Sequence, residues 1–414
     1  MYRERDAIGT DRTCHTRDAV PNTARGRCLA VEEGHALIQN EDGVRRVTIA
    51  GGDGLRAGDI VAVSDGIARI VTRSLCQPGQ RASLARRILD QRRLRAMEMR
   101  ARIEAGIRGF FAARGFRETH TPLLVPCPGM EPHVRPFRTD AGAYLPTSPE
   151  FAMKRLLVGG LEKIFQLCPA FRLEPRSATH HPEFTLLEWY RAYAGEKEIQ
   201  EDTEALLEQL ARTILGRPHL SFRGASISLE LPWPRLRMRD LFAAHAGVDL
   251  GRADLRTECQ RLGIRHSPGD TDDDLFHRIW IELVEPMLPA DRAVMVTGFP
   301  PSQAALAVVA TDRDGTQWAR RFEVYAGGLE LGNAFEELTD PIEQRQRFAR
   351  EMALRQAVYG AAFGPTPLDE GFLAALSEGM PPSGGIAMGV DRIVMLFADE
   401  PDIDYTLWLP SHTE

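Results

Sequence analysis

Three separated segments of the chain place arginines and carboxylates among apolar residues, a combination suited to binding a charged substrate. The first comprises residues 171–174 and 180–190, and it includes Arg172 and Glu174. Two apolar runs joined by a charged loop predict a β-hairpin that exposes these two side chains on one face. An isolated structural ion pair would explain one Arg and one Glu, but not a segment so rich in carboxylates and aromatic residues.

The second segment contains Glu323, Glu330 and Glu337, which recur every seven residues. On a helix this spacing would give an acidic stripe, but Gly327 and Gly328 interrupt any helix, so we predict a strand, a turn and a strand. Carboxylates that converge from two such strands suit Mg²⁺, a hard cation that takes oxygen ligands and often shares them with nucleotide phosphates.

The third segment, residues 383–392, is a glycine-rich strand that runs into the apolar residues 393–397, with Arg392 in the first helical turn. Glycine lets a ligand approach the backbone, and the start of a helix favours phosphate. The chain contains neither GxxxxGK[ST] nor GxGxxG, so the sequence supports neither a P-loop nor a dinucleotide-binding fold.

Taken in this order, the three segments resemble motifs 2 and 3 of class II aminoacyl-tRNA synthetases. Residues 115–122, which end in Pro122, resemble motif 1, the dimer-forming segment. The resemblance covers the chain from about residue 83 to its C-terminus. It implies an α+β class II catalytic fold, an antiparallel sheet flanked by helices, in a homodimer that uses ATP and Mg²⁺.

Within class II, residues 181–190 and 330–338 resemble the lysyl branch. The amino-acid sequence of residues 148–160, 164–172 and 182–190 resembles still more closely the lysyl-tRNA synthetase paralogues that ligate (R)-β-lysine to elongation factor P. These paralogues carry Ala where Ala387 stands, whereas the synthetases carry Gly. One methyl group in a tight pocket is worth only ~1–3 kcal/mol of discrimination, so it biases the choice of substrate.

The resemblance implies roles for individual residues. Arg172 would contact the α-phosphate and Arg392 the γ-phosphate, which makes both catalytic. The remaining ATP contacts would come from Glu174, His181, Glu330, Leu331 and Gly389, and the Mg²⁺ ligands would be Glu323 and Glu330.

For the amino acid, Ser148 and Glu150 resemble the amino-group site. Glu337 and Tyr190 would hold the distal ammonium, with Glu188 nearby and Ala387 shaping the pocket. Two carboxylates facing one buried ammonium agree with the high cost of an unpaired buried charge. The chain departs from the family at two positions, because Asn is usual where His181 stands and Arg or Tyr where Thr179 stands.

Composition bears on the domain organisation. Residues 1–25 are polar and irregular and predict a flexible arm. Residues 26–78 alternate short β-rich runs with turn dipeptides, which predicts a small barrel or meander and a linker. We expect the catalytic domain to occupy residues 79–414, beginning with a long helix at 83–114. Further strands are predicted at 163–166, 185–189, 293–297, 304–309 and 321–325, and further helices at 198–214, 239–245, 275–288 and 342–359.

The bulk composition narrows the class of protein. The chain has 414 residues and a net charge of −7, which argues against a protein built to wrap nucleic acid. No apolar run approaches the ~20 residues that cross a bilayer, and the N-terminus has no signal-peptide core. The six cysteines show no metal-ligand spacing. We therefore expect a cytoplasmic protein that does not contact membranes.

Our leading hypothesis is an ATP-dependent ligase that activates (R)-β-lysine or lysine and transfers it to elongation factor P. Fewer than eighty residues precede the catalytic region, less than the anticodon-binding domain of a lysyl-tRNA synthetase. We therefore do not expect tRNA as the acceptor. The alternatives are a tRNA-charging enzyme, a ligase that loads another carrier protein, and a non-catalytic paralogue that only binds.

Overall fold

A computed structural model of the chain describes residues 24–32, 34–49, 54–65, 67–75, 90–131, 133–360 and 367–411. These residues fall into two compact units, one up to Leu94 and one from Arg95 onward. Nearly all of the predicted arm at 1–25 lies outside the described residues. The predicted boundary after residue 78 also falls outside them and stays a prediction.

The first unit is a five-stranded antiparallel sheet. Its strands are β1 (Ala24–Glu32), β2 (His35–Asn40), β3 (Gly43–Thr48), β4 (Ile60–Ser64) and β5 (Ile67–Thr72). They lie in the order β3-β2-β1-β4-β5. Small apolar side chains, among them Ile38 and Val61, fill its core. The β-rich N-terminal region expected from the turn dipeptides is confirmed.

The second unit is built on a nine-stranded sheet, which confirms the expected α+β fold. Eight strands lie in the order β11-β12-β14-β15-β16-β8-β7-β6, and β13 pairs with β14. Their bounds are β6 Arg117–Glu118, β7 Lys163–Phe171, β8 Glu183–Ala192, β11 Arg235–Arg237, β12 Val294–Phe299, β13 Val309–Thr311, β14 Gln317–Ala326, β15 Leu329–Glu336 and β16 Ser383–Gly389. All pairings are antiparallel except β6 with β7 and β11 with β12. A separate hairpin pairs β9 (His219–Phe222) with β10 (Ala225–Ser228).

Helices cover the sheet. They are α1 (Gln91–Ala113), α2 (Glu150–Val158), α3 (Glu196–Leu215), α4 (Met238–Ala246), α5 (Leu255–Leu262), α6 (Asp272–Ile279), α7 (Pro341–Tyr359), α8 (Glu370–Gly379) and α9 (Val390–Ala398). Helix α6 continues into a π turn and a 3₁₀ turn ending at Met287. Among the described residues, no helix is long and apolar enough to span a membrane.

The helix ends follow the local sequence. Helix α3 begins after Gly195, whose backbone N–H donates to the Glu198 carboxylate at 2.8 Å. It ends at Gly216, which adopts a left-handed conformation with φ of 76°. Aromatic packing then fixes α1 on the sheet, because the ring of Phe111 stacks on Phe165 with centroids 4.7 Å apart.

The three charged segments have the predicted local structure. The first is the hairpin of β7 and β8, with a loop at 172–182. The second is the hairpin of β14 and β15, where Gly327 and Gly328 both have positive φ, as a two-residue turn requires. The third is β16 leading directly into α9, with Arg392 in the first turn.

The strand predicted at 304–309 is wrong. Pro301–Gln303 form a 3₁₀ turn, Ala305 has a φ of 46°, and only Val309 enters a strand. Two adjacent prolines at 300–301 lack N–H donors and favour a turn over a ladder. The segment instead packs over the end of β15, where the Leu338 N–H donates to the Leu306 carbonyl at 2.8 Å.

A buried ion pair holds the start of α9 against α1. The Arg100 guanidinium contacts the Asp391 carboxylate, and its Nε donates to the Thr406 carbonyl at 2.9 Å. The second oxygen of Asp391 accepts the Thr185 backbone N–H at 2.7 Å. Because Asp391 precedes Arg392, this network fixes where the α9 arginine projects.

We predict that Arg100→Met lowers the free energy of unfolding by about 3–5 kcal/mol, because it leaves the Asp391 carboxylate buried without its cation. Urea denaturation followed by circular dichroism measures this change. The matched control is Arg108→Met on the same helix, where the arginine side chain is 46% exposed. That change should cost less than about 1 kcal/mol. Equal costs for the two variants would contradict a special role for the Arg100–Asp391 pair.

Candidate active site

One face of the large sheet carries a cavity of about 1010 Å³. Strands β8, β15 and β16 form its floor, and α2, α7 and the loop at 172–182 form its walls. The cavity is lined by most of the residues singled out from the sequence: Ser148, Glu150, Arg172, Glu174, His181, Tyr190, Glu330, Leu331, Glu337, Ala387, Gly389 and Arg392. Glu188 and Glu323 do not line the cavity, but each is bonded to a residue that does, Glu188 to Ser148 and Glu323 to Arg321. The fold thus brings three distant segments into one site.

One end of the cavity is acidic. Glu150 begins α2, Glu188 lies on β8, and Glu337 follows β15. The Ser148 hydroxyl donates to Glu188 Oε1 at 2.6 Å, and the Tyr190 hydroxyl donates to Glu188 Oε2 at 3.1 Å. Both oxygens of Glu188 are therefore oriented before any ligand enters.

The pKa values of these carboxyls are shifted upward. Burial, with Glu150 nearby, raises the pKa of Glu188 to about 8. Burial also raises the pKa of Glu337 to about 8, against the opposing effect of Lys154. Desolvation raises the pKa of Glu150 in the same way. A cationic ligand would stabilise the ionised forms of all three, so this end of the cavity is suited to bind ammonium groups.

Lys154 also lies at the acidic end of the cavity, and the sequence analysis did not predict it there. Its side chain is fully buried, and its Nζ lies 2.6 Å from Glu150 Oε1 and 2.5 Å from Glu337 Oε2. Burial alone would lower its pKa, but Glu150 and Glu337 together raise that pKa above its ordinary value. The signal in the sequence was the four-residue spacing from Glu150, which puts both side chains on one face of a helix.

The other end of the cavity is cationic. Arg392 Nη1 donates to the Glu330 carbonyl at 2.6 Å, and its Nη2 lies 3.0 Å from the His180 ring. Arg172 lies over the Phe184 ring, 5.2 Å from its centroid. Its Nε is buried and makes no hydrogen bond to any described residue. These two guanidinium groups are placed to receive an anion.

Two carboxylates flank the arginines. Glu323 and Glu330 lie on the paired strands β14 and β15, and burial together with Glu323 raises the pKa of Glu330 to about 7. Glu323 is engaged from two sides, by Arg321 Nη2 at 2.6 Å and by the Tyr325 hydroxyl at 2.6 Å. Arg321 is a second residue that sequence reasoning missed. Its position two residues before Glu323 on one strand puts both on the same face.

Glu323 and Glu330 suit a divalent cation only if a bound substrate supplies further oxygen ligands. Within the described ranges, no group of three or more His, Cys, Asp or Glu side chains is arranged to hold a metal ion. Glu330 and Glu323 are close enough to raise the pKa of Glu330, a repulsion that a cation would relieve. The donor set therefore suits an ion that completes its coordination with phosphate oxygens.

The two positions that depart from the family lie at the rim of the cationic end. The His181 ring is buried, and its Nδ1 is bonded to the main chain of Glu183. The Thr179 carbonyl accepts from Arg392 Nε at 3.4 Å. His181 thus contacts the loop through its ring, whereas Thr179 contacts Arg392 through its backbone carbonyl.

Comparison with known proteins agrees with this site. Residues 80–413 match the family described as tRNA synthetases class II (D, K and N). The lysine–tRNA ligase of Moorella thermoacetica is 37% identical over 321 residues, which cover 75% of this chain and 64% of that protein. The lysine–tRNA ligase of Chromohalobacter salexigens is 36% identical over 335 residues, which cover 78% of this chain and 65% of that protein.

The chain spans somewhat less than two thirds of the length of these relatives. The matched region nevertheless contains every strand and helix that lines the cavity. The order of the three charged segments, the antiparallel sheet that unites them and the match over residues 80–413 have one explanation: this chain belongs to the class II tRNA synthetase family of the D, K and N type.

Proposed function

We propose that this chain uses ATP to activate lysine or (R)-β-lysine as an adenylate and transfers the aminoacyl group to a lysine side chain of elongation factor P. The observation that carries the activation step is the polarity of the cavity. Carboxylates of Glu150, Glu188 and Glu337 occupy one end, and guanidinium groups of Arg172 and Arg392 occupy the other. An amino acid with a second ammonium group and a nucleotide triphosphate match these two ends.

The first step needs no protein nucleophile. A carboxylate oxygen of the amino acid attacks the α-phosphorus of ATP, the bond to the β-phosphate oxygen breaks, and pyrophosphate leaves. Arg172, whose Nε lacks a partner among the described residues, is available to follow the charge that develops at the α-phosphate. Arg392 binds the γ-phosphate, and Glu174 and His181 hold the adenine end, with Leu331 and Gly389 beside the nucleotide.

Glu323 and Glu330 would hold magnesium together with the phosphates. A bound Mg²⁺ neutralises phosphate charge and orients the leaving pyrophosphate. Arg321 and Tyr325 keep the Glu323 carboxylate in place from its far side. Positioning and charge neutralisation are then the whole contribution of the protein to this step.

Ala387 supports a substrate other than α-lysine. It lines the cavity on β16, paired with Glu188 on β8 and Asn333 on β15. Directly paired residues of antiparallel strands have Cβ atoms ~4.5–5.5 Å apart, so the Ala387 methyl narrows the floor beside the Glu188 carboxylate.

In the second step the acceptor amine attacks the acyl carbon of the adenylate, AMP leaves, and the amine loses a proton.

Charging of tRNA is the second candidate, because the relatives are named lysine–tRNA ligases. The five-stranded N-terminal sheet would then be the part of the chain that binds the RNA. However, the sequence has no Phe, Tyr or Trp between residues 26 and 73 to stack on bases. The homodimer implied by residues 115–122 also stays a prediction.

Amino-acid-dependent exchange of pyrophosphate into ATP tests the activation step. We expect exchange with lysine or (R)-β-lysine and none with norleucine, which lacks the second ammonium group. The acceptor is tested by incubating the enzyme with ATP, each lysine isomer and elongation factor P, followed by mass spectrometry of the acceptor. Stable charging of lysine tRNA without any mass gain on elongation factor P would replace our proposal with the second candidate.

We predict that the KM for the amino acid rises as the pH falls from about 8.5 to about 6.5. The pKa values of Glu188 and Glu337 lie near 8, so lowering the pH protonates the carboxylates that bind the ammonium groups. Exchange assays across this range, with saturating ATP, measure the effect. The KM for ATP, measured in the same series, serves as the control. A KM for the amino acid that does not change with pH would remove these carboxyls from the binding site.

We predict that Ala387→Gly shifts the preference from (R)-β-lysine toward α-lysine, by up to about a hundredfold in the ratio of kcat/KM values, the range available from one methyl group. The matched control is Ala170→Gly, a buried strand alanine on β7 that does not line the cavity. It shares the backbone cost of glycine but should leave the ratio unchanged. Equal ratios in Ala387→Gly and the parent would show that this methyl does not select the substrate.

A further inference from the structure

The acidic end of the cavity already contains one ammonium group before any substrate binds. Lys154 is fully buried, and its Nζ is within 2.6 Å of Glu150 and 2.5 Å of Glu337. A buried lysine normally loses its proton, but here two carboxylates keep it charged. The protein therefore places its own lysine ammonium next to the carboxylates that would receive the ammonium of the substrate.

The acidic end of the cavity has more carboxylates than Lys154 can neutralise. Glu150, Glu188 and Glu337, when ionised, carry three negative charges, and Lys154 supplies one positive charge. Lys154 therefore neutralises one of the three charges and leaves two for a ligand, since the next cation, Arg172, is the smallest influence on the pKa of Glu188. Glu131 also raises the pKa of Glu150, but Arg355 acts on Glu131, and Arg347, Arg350 and Arg355 act on its neighbour Glu351.

Two negative charges match two ammonium groups. Lysine and (R)-β-lysine each carry one near the carboxylate and one at the distal end, whereas a neutral side chain would leave a buried carboxylate without a partner. The geometry agrees with this count. Glu337 Oε2 lies against Lys154, and Glu337 Oε1 is buried and makes no hydrogen bond to any described residue.

We propose that Lys154 is a resident cation that orients Glu150 and Glu337 and sets the net charge of the amino-acid site, so that the site accepts amino acids with two ammonium groups. The inference rests on the proposed function for its substrate class. Lys154 is a positioning residue, because it acts through the two glutamates. Because Lys154 contacts Glu337 through Oε2, the other oxygen, Oε1, is the one left for a ligand.

The test is Lys154→Met, which keeps the length of the side chain and removes its charge. At a pH of about 7 we expect the KM for lysine to rise at least about tenfold, because Glu337 then holds a proton more tightly. The groups that face Glu337 are Lys154 and Glu150 from α2 and Tyr190 from β8. Loss of the one cation among them raises the pKa of Glu337.

If Lys154 acts through the protonation of Glu337, the ratio of the KM values of the variant and the parent depends on pH, whereas a packing defect would change KM equally at every pH. Raising the pH toward about 8.5 lowers the protonated fraction of Glu337 in both enzymes, so the ratio of the two KM values should narrow as the pH rises. The control is Met153→Leu, a fully buried neighbour on α2 whose substitution conserves volume and should leave KM and its pH profile unchanged. A KM for Lys154→Met that equals that of the parent, or a ratio independent of pH, would overturn the proposal.

A second measurement needs no substrate. Lys154→Met and Glu337→Gln each leave one buried partner alone, so each should lower Tm, and the double variant should lose less than the sum of the two. Losses that simply add would show that Lys154 is not the counter-cation of Glu337. If the parent enzyme shows no amino-acid-dependent exchange, the proposed function fails, while this double-mutant cycle still decides the role of Lys154.

Discussion

The register of three antiparallel strands is the constraint on which the site depends. Strand β16 lies between β15 and β8, and the pairing sets Ala387 opposite both Asn333 and Glu188. Two residues earlier, Gly385 is opposite Tyr190, and a Cβ at Gly385 would lie 2.3 Å from the Tyr190 ring. Because the side-chain period of a strand is two, a slip of one residue would turn these side chains to the other face.

That register brings several ionisable side chains together in a buried site, where water does not screen their charges. Glu188 comes from β8 and Glu337 from the end of β15, and α2 adds Glu150 and Lys154. Their burial raises the pKa values of the carboxyls, and the one lysine partly offsets their repulsion. The fold therefore gathers carboxyls whose ionised forms a cationic ligand would stabilise.

The arginine end depends on the same sheet through a different contact. Asp391 accepts the Thr185 N–H from β8 and contacts Arg100 from α1, so α9 starts at a fixed place beside the hairpin loop. Arg392 then reaches the Glu330 carbonyl on β15. The two arginines come from loops or helix starts, but rigid strands and one buried ion pair hold them.

The sequence by itself determined the local elements that carry the three charged segments. The hairpin around Arg172, the glycine turn at 327–328 and the strand that leads to Arg392 all follow from patterns within a few residues, where turn preference and side-chain period act directly. The roles of the individual site residues stay predictions. The strand expected at 304–309 was wrong, because apolar composition there did not outweigh two prolines.

Only the tertiary structure decided which charges meet. The contact of Lys154 with Glu337 joins residues 183 positions apart, and that of Arg100 with Asp391 joins residues 291 positions apart. No local pattern encodes such pairs, since they arise when strands far apart in sequence become neighbours. The sequence thus singled out Glu150, Glu188 and Glu337, and only the fold placed Lys154 against two of them.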